Sequence, residues 1–469
     1  MDIENDYGKC IAVYNGNGKL TFSDGSTISC EFQAGQLRDG QLFLLCSAET
    51  YQHSLYDGRP VAKFDGFTTE GYLIQSLESI TEVYYLSKSP RTGFPIALRL
   101  KVLSVKKNDN DINSVRFGIT NLRFFSGRIR LDGRFYEELP LRLNDGTNDC
   151  DIKLRPLERY DEIIPRVRLL KNAEVTCEIV ADVNANGGLE NLLEVVDNVC
   201  LLSSVARGTK VQWLYCDQID DSGDTVKIVH YAHITKPYCG LTAIDHSESD
   251  DDFKNFMETC YPNYVAKRDE YQLAKGTIDA FLSAKAEEDY LETRGGKLAI
   301  ALERFIAAFH KRTSNPYADC ILNEKAFNDL IPKIKTDIRD LLDKEELGLP
   351  DQLGDVANEG KILGLNRVSF LTTIRSACEE IKMSPANGEI RRFVQCRNKL
   401  VHEGDFYSVV ATPKEQDEVR PKDNAREEYF FMVNFLDRFF LKFLGYSGDY
   451  INWYSWSIAR GIPPRESLP

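Results

Sequence analysis

Residues 388–403 read Gly-Glu-Ile-Arg-Arg-Phe-Val-Gln-Cys-Arg-Asn-Lys-Leu-Val-His-Glu, and their period decides how the second half of the chain folds. At about 100° per residue, Ile390, Phe393, Val394, Leu400 and Val401 fall on one side, the pattern of an amphipathic helix. Ser384-Pro385 and Asn387-Gly388 supply start signals, and Gly404 stands where a left-handed C-cap is wanted. Arg397 lands in the middle of the apolar stripe, where a guanidinium is costly to bury without an anionic partner. The opposite face runs Arg391, Gln395, Asn398, His402. Asn398 and His402 are therefore stacked neighbours, and the amide is expected to orient the imidazole.

Outward from this helix, the same period recurs at 264–284, 287–311, 324–343, 369–383 and 424–444, so 255–469 reads as an all-α bundle of five or six helices. The last of these carries Phe430, Phe431, Phe435, Phe439, Phe440 and Phe443 on more than one side, which places it at the centre of the bundle or of a dimer. Toward the N-terminus the pattern changes. Short strands at 10–14, 20–23, 28–33, 42–46, 96–105, 115–121 and 128–131 are punctuated by Asn-Gly, Asp-Gly and Gly-Asn, and Ile96 to Val102 alternates polar with apolar side chains. A mainly antiparallel sandwich or open barrel is expected, followed after a sub-boundary near 160 by an α/β extension: strand 174–181, helix 189–205 and a hairpin of 211–216 with 226–234. The run Asp245-His246-Ser247-Glu248-Ser249-Asp250-Asp251-Asp252 is the sharpest break in composition. It predicts an acidic linker at 245–254 between a β-rich, regulatory N-terminal domain at 1–244 and the helical domain at 255–469. The fold class is α+β, multidomain.

The 469 residues carry a formal net charge of -14, which excludes a protein that coats nucleic acid non-specifically, because such binding needs surplus Lys and Arg. The acidic start and the lack of a long apolar window predict a cytoplasmic chain with no membrane partner. The 12 dispersed cysteines, without a C-x-x-C pair, read as buried thiols. His230 and His233 are three apart on a strand and point to opposite faces, so they do not chelate one metal ion. Asn184-Ala185-Asn186-Gly187-Gly188 has neither the Walker lysine nor dinucleotide spacing. No metal or other cofactor is expected. The adjacent pairs Tyr84-Tyr85 and Phe124-Phe125 read as core packing before they read as a recognition face.

The chemistry lies in Arg397, Asn398 and His402, the candidate catalytic residues. A histidine titrating near neutrality takes the proton from a ribose 2′-OH or gives one to the departing 5′-oxygen, while arginine neutralises charge building on the phosphate. RNA is the substrate this suits, and DNA lacks the nucleophile. Arg397 and His402, five apart, sit about 140° from each other around an ideal helix, so one helix does not aim both at a single phosphate. Two copies packed about a two-fold axis remove the difficulty, which predicts a homodimer or higher even oligomer with a composite cleft. Arg391, Arg392 and Lys399 are RNA-phosphate candidates, with solvated helix charges as the alternative. Glu303 and Arg304 are candidates to support the cleft from behind, or plain ion-pair partners.

Arg397-Asn398-Lys399-Leu400-Val401-His402, followed by Glu403-Gly404, resembles the R-N-x-x-x-H form of the R-x4-6-H signature of HEPN-domain ribonucleases. The resemblance covers roughly 255–445, and a β-rich half ahead of it is similar to the ApeA-type nucleases of bacterial anti-phage defence. It implies a HEPN-like helical dimer, metal-independent endoribonuclease activity leaving 2′,3′-cyclic phosphate and 5′-hydroxyl ends, growth arrest on activation, and a phage-derived trigger sensed by the N-terminal half. The contrasting expectation is a non-catalytic scaffold whose helical half only dimerises.

Overall fold

A computed structural model describes residues 10–48, 61–78, 82–85, 94–124, 128–170, 174–233, 240–245, 247–271, 273–311, 321–322, 324–344, 368–410, 424–459 and 462–468. The chain divides into two compact units, unit 1 with residues 1–266, 282–290 and 444–468, and unit 2 with 267–281 and 291–443. The strands are β1 (Cys10–Phe22), β2 (Thr27–Leu37), β3 (Leu42–Ala48), β4 (Val61–Thr68), β5 (Leu73–Ser76), β6 (Glu82–Tyr85), β7 (Phe94–Leu100), β8 (Val102–Lys106), β9 (Ser114–Thr120), β10 (Ile129–Leu131), β11 (Arg134–Tyr136), β12 (Leu139–Asn144), β13 (Asp149–Pro156), β14 (Val175–Asp182), β15 (Trp213–Ile219), β16 (Thr225–Tyr231), β17 (Asp449–Ile451) and β18 (Arg465–Ser467). The helices are α1 (Tyr160–Leu170), α2 (Leu189–Arg207), α3 (Asp251–Lys267), α4 (Ile278–Lys285), α5 (Leu291–Lys311), α6 (Glu324–Lys344), α7 (Phe370–Glu380), α8 (Glu389–Glu403), α9 (Tyr407–Val410), α10 (Ala425–Phe443) and α11 (Trp453–Ala459), with a π-helical turn at Leu273–Thr277.

Unit 1 is built on one antiparallel sheet in the order β12-β13-β14-β9-β15-β16-β8-β5-β4-β1-β2-β3-β7-β6. The single expected strand at 96–105 is two, β7 and β8, broken at Lys101. Leu100 pairs with Leu42 of β3, and Val102 with Tyr231 of β16. One connecting residue thus joins strands separated in hydrogen-bond order by β5, β4, β1, β2 and β3. Such a sheet has to curl, and the curl encloses Leu20, Phe32, Leu44, Phe64, Leu98 and Val105. The expected barrel-like shape is therefore one curled stretch of a longer sheet. No break falls near 160, because β9 is hydrogen-bonded between β14 and β15.

The Asn15-Gly16-Asn17-Gly18 run, expected as a turn, lies inside β1, paired with β2 on one side and β4 on the other. A Cβ on Gly16 would sit 2.0 Å from the Phe67 carbonyl oxygen, and one on Gly18 would sit 2.6 Å from the Phe64 ring. These glycines permit close approach rather than chain reversal.

The acidic run behaves differently from the linker expected at 245–254. Asp250 is fully buried, its carboxylate 3.9 Å from the equally buried Arg207, which also donates to the Ile244 carbonyl (3.1 Å) and lies over the Phe253 ring. Helix α3 starts at Asp251. Arg465, far along the chain, pairs with Asp252 and approaches Asp245, Glu248 and Asp449 at 3.8–3.9 Å. Partners remote in sequence turn a solvated-looking charge run into packed structure.

In unit 2, α10 is buried continuously from Glu428 to Leu441. Phe439 and Phe443 stack edge-on against Phe305 of α5 at 4.9 and 4.8 Å, and Phe435 meets Phe393 of α8 at 4.9 Å. One copy of the chain already accounts for aromatics on several sides of this helix. Among the described residues no helix is long and apolar enough to cross a membrane, and the cysteines are free thiols.

Candidate active site on helix α8

Both ends of α8 are set locally. Gly388 (φ 80°) and Gly404 (φ 78°) adopt the left-handed conformation, and the Gly404 N–H closes on the Lys399 carbonyl at 3.2 Å. Glu389 caps the start by accepting the Ala386 N–H at 2.8 Å, and its other oxygen pairs with Arg438 of α10. Phe393, Cys396 and Leu400 form the buried face, whereas Val401, expected there, is 48% exposed. Helix α5 approaches closely because residue 295 is glycine: a Cβ there would lie 2.9 Å from both Leu400 Cδ1 and Phe406 Cζ.

Arg397 has the anionic partner its position demands. Its Nε donates to Glu303 Oε1 of α5 at 2.5 Å, and Nη2 pairs with the same oxygen. Nη1 donates to Asn398 Oδ1 at 2.8 Å, and the guanidinium carbon stands 5.3 Å from the Phe370 ring centre on α7. Groups from three helices thus fix a half-buried arginine. This corrects the expected role of Asn398, whose carbonyl oxygen engages Arg397 and not His402. An adjacent guanidinium with five donors competes better for that oxygen than an imidazole one turn away.

His402 lies in the last turn, exposed, with no hydrogen bond to its ring among the described residues. Arg397 and His402 therefore do not converge within one chain.

The remaining candidates separate. Arg304, next to Glu303 but about 100° around the helix, donates to the Gly276 carbonyl of the π-helical turn at 2.8 Å and does not reach Arg397. Arg392 is directed onto the Phe431 ring at 4.1 Å, and Lys399 is tied to Glu403 at 2.7 Å. Arg391 is exposed and, with Arg375, lines a cleft of about 410 Å³ between α7 and the start of α8. Sequence reasoning did not single out Phe370, Gly295 or the Glu389–Arg438 pair. An arginine inside the apolar run of α10 was a usable signal for the last.

Elsewhere, His230 is buried, with Nδ1 2.9 Å from Gln36 Oε1 and Nε2 2.9 Å from the Tyr14 hydroxyl. Gln36 Nε2 donates to the Leu214 and Tyr231 carbonyls, which fixes its amide orientation. His230 is therefore the Nδ1–H tautomer and Tyr14 donates to Nε2. Burial pushes this imidazole down to about 4. Among the described residues no cluster of three or more His, Cys, Asp or Glu is placed to hold a metal ion. Phe124 is buried beside Tyr160 (6.2 Å between ring centres), while the side chains of Tyr84, Tyr85 and Phe125 lie outside the described residues. Comparison with family models, with curated proteins and with solved structures finds no match to this chain.

Proposed function

We propose that the chain is a metal-independent endoribonuclease of the HEPN type, acting on RNA, tRNA being one candidate, at a site completed by a second copy. The observation that carries this reading is the division of labour on α8: Arg397 is held by Glu303, Asn398 and Phe370, while the His402 ring stays exposed and uncommitted. A fixed cation and a free imidazole, brought together by a second copy, suit 2′-OH attack, in which charge accumulates on phosphate and only protons move through the protein.

In the composite site each copy's Arg397 approaches the facing copy's His402. One imidazole takes the 2′-OH proton as the oxygen attacks phosphorus. The P–O5′ bond breaks, and the other imidazole, protonated, supplies the proton to the departing oxygen. The products carry 2′,3′-cyclic phosphate and 5′-hydroxyl ends. Arg391, exposed beside its cleft, is the best placed of the basic candidates to meet a neighbouring phosphate. The resemblance to ApeA-type proteins supports an abortive-infection role in the cytoplasm, with unit 1 sensing a phage-derived trigger.

The test is cleavage of single-stranded RNA or tRNA in EDTA, with end-group analysis, by wild type and His402→Ala. Cyclic phosphate ends from wild type and no cleavage by a folded mutant are expected. Cleavage that persists in His402→Ala would falsify the assignment, and no cleavage by wild type would leave the dimeric scaffold.

A further inference from the structure

Unit 1 contains a cleft of about 280 Å³ lined by the partly exposed Arg38, Arg159 and Arg166 and the buried Glu174, with Ile163 and Tyr215 among its apolar walls. Arg159, Ile163 and Arg166, spaced four and three, present one face of α1 and the residue before it. Arg38 comes from the tight turn between β2 and β3, closed by the Gly40 N–H to the Leu37 carbonyl at 3.0 Å. Glu174, buried, lies just before β14.

The charges do not balance. Arg166 Nη2 donates to Glu174 at 2.9 Å, yet its Nε is shielded from solvent and has no acceptor among the described residues. Arg38 reaches the same carboxylate at 3.7 Å and makes no hydrogen bond among the described residues. Arg159 is held by Glu162 at 2.6 Å. Two guanidinium groups thus share one carboxylate, which orients them without satisfying their donors. A shielded N–H without an acceptor calls for an explanation, and a planar fork of donors suits phosphate. The Tyr215 ring packs against the backbone of Gly118, where a Cβ would stand 2.2 Å from it. An aromatic wall and cationic groups in one cleft match an organic group that carries a phosphate.

We propose that this cleft binds a small phosphate monoester, its phosphate on Arg38 and Arg166 and its organic part against Ile163 and Tyr215. The site is independent of any RNA cleavage at α8. Its small volume favours a low-molecular-weight ligand over an extended chain.

The test is calorimetric titration of the full chain at about pH 7.5, where a phosphate monoester is close to dianionic. Phenyl phosphate is the probe, with phenol and inorganic phosphate as its two halves. Saturable binding of phenyl phosphate at one site, tighter than either half, is expected. Arg38→Gln should weaken it about tenfold or more, and Arg38→Lys should recover part of the loss. Arg38 is 41% exposed and bonded only through a long ion pair, so the melting temperature without ligand should not change. No binding of phenyl phosphate, or equal affinity in folded Arg38→Gln, overturns the proposal. So does a phosphoserine peptide that binds more tightly than phenyl phosphate, which would make the ligand a protein.

Discussion

His230 in unit 1 commits both ring nitrogens to the fold, between Tyr14 and Gln36, whereas His402 in unit 2 commits neither among the described residues. Burial and complete pairing hold one imidazole neutral and inert. Exposure at a helix end leaves the other ring open to solvent. On the proposed reading the same side chain is mortar in one unit and reagent in the other, and what its nitrogens touch makes the difference.

The sharpest way to break this contrast is His402→Ala, which should lower RNA cleavage about 10³-fold with no change in melting temperature. Loss of stability instead would make His402 structural after all. His230→Ala should do the reverse, costing about 3 kcal/mol in urea denaturation by emptying a buried site and leaving Tyr14 and Gln36 without partners. Glu303→Gln removes the anion that orients Arg397 and should slow cleavage about tenfold or more. Its effect on kcat should exceed that on KM, since binding does not need the orientation.

The smallest effect at neutral pH is also the most diagnostic. The folded value of His230 is lowered to about 4, below the ordinary imidazole value of about 6.5. As pH falls the unfolded chain takes up the proton first. The stability this histidine contributes is therefore full above about 6.5 and is lost progressively toward about 4. A folded His230→Phe variant should lose that part of the acid sensitivity, and His402→Ala should keep it, as thermal melts across this range would record.

Helix α8 was legible because its period, its end signals and its chemistry are all local. So was the demand of Arg397 for an anion, since a guanidinium on a packing face has to be neutralised. Glu303 and Arg304 are both expected supports of the cleft; that Glu303 answers Arg397 while Arg304 turns to the Gly276 carbonyl was not legible, because the two are neighbours in sequence but diverge around α5. Asn398 was assigned to the wrong partner because helical spacing ranks neighbours by distance and not by competition for one oxygen. In unit 1, strand character was visible but topology was not. Asn15-Gly16-Asn17-Gly18 has the composition of a turn, and only the Phe67 carbonyl and the Phe64 ring, more than forty residues on, show why it runs straight. The acidic run failed likewise, its cations being Arg207 and Arg465.

The return of residues 444–468 to unit 1 has a bearing on synthesis. A ribosome delivers all of unit 2 before the β17–β18 pair and Arg465 emerge. Until then Asp245, Glu248 and Asp252 lack the Arg465 guanidinium. Domains fold as units during translation, and the sheet unit gains this clasp only after the helical unit has been synthesised.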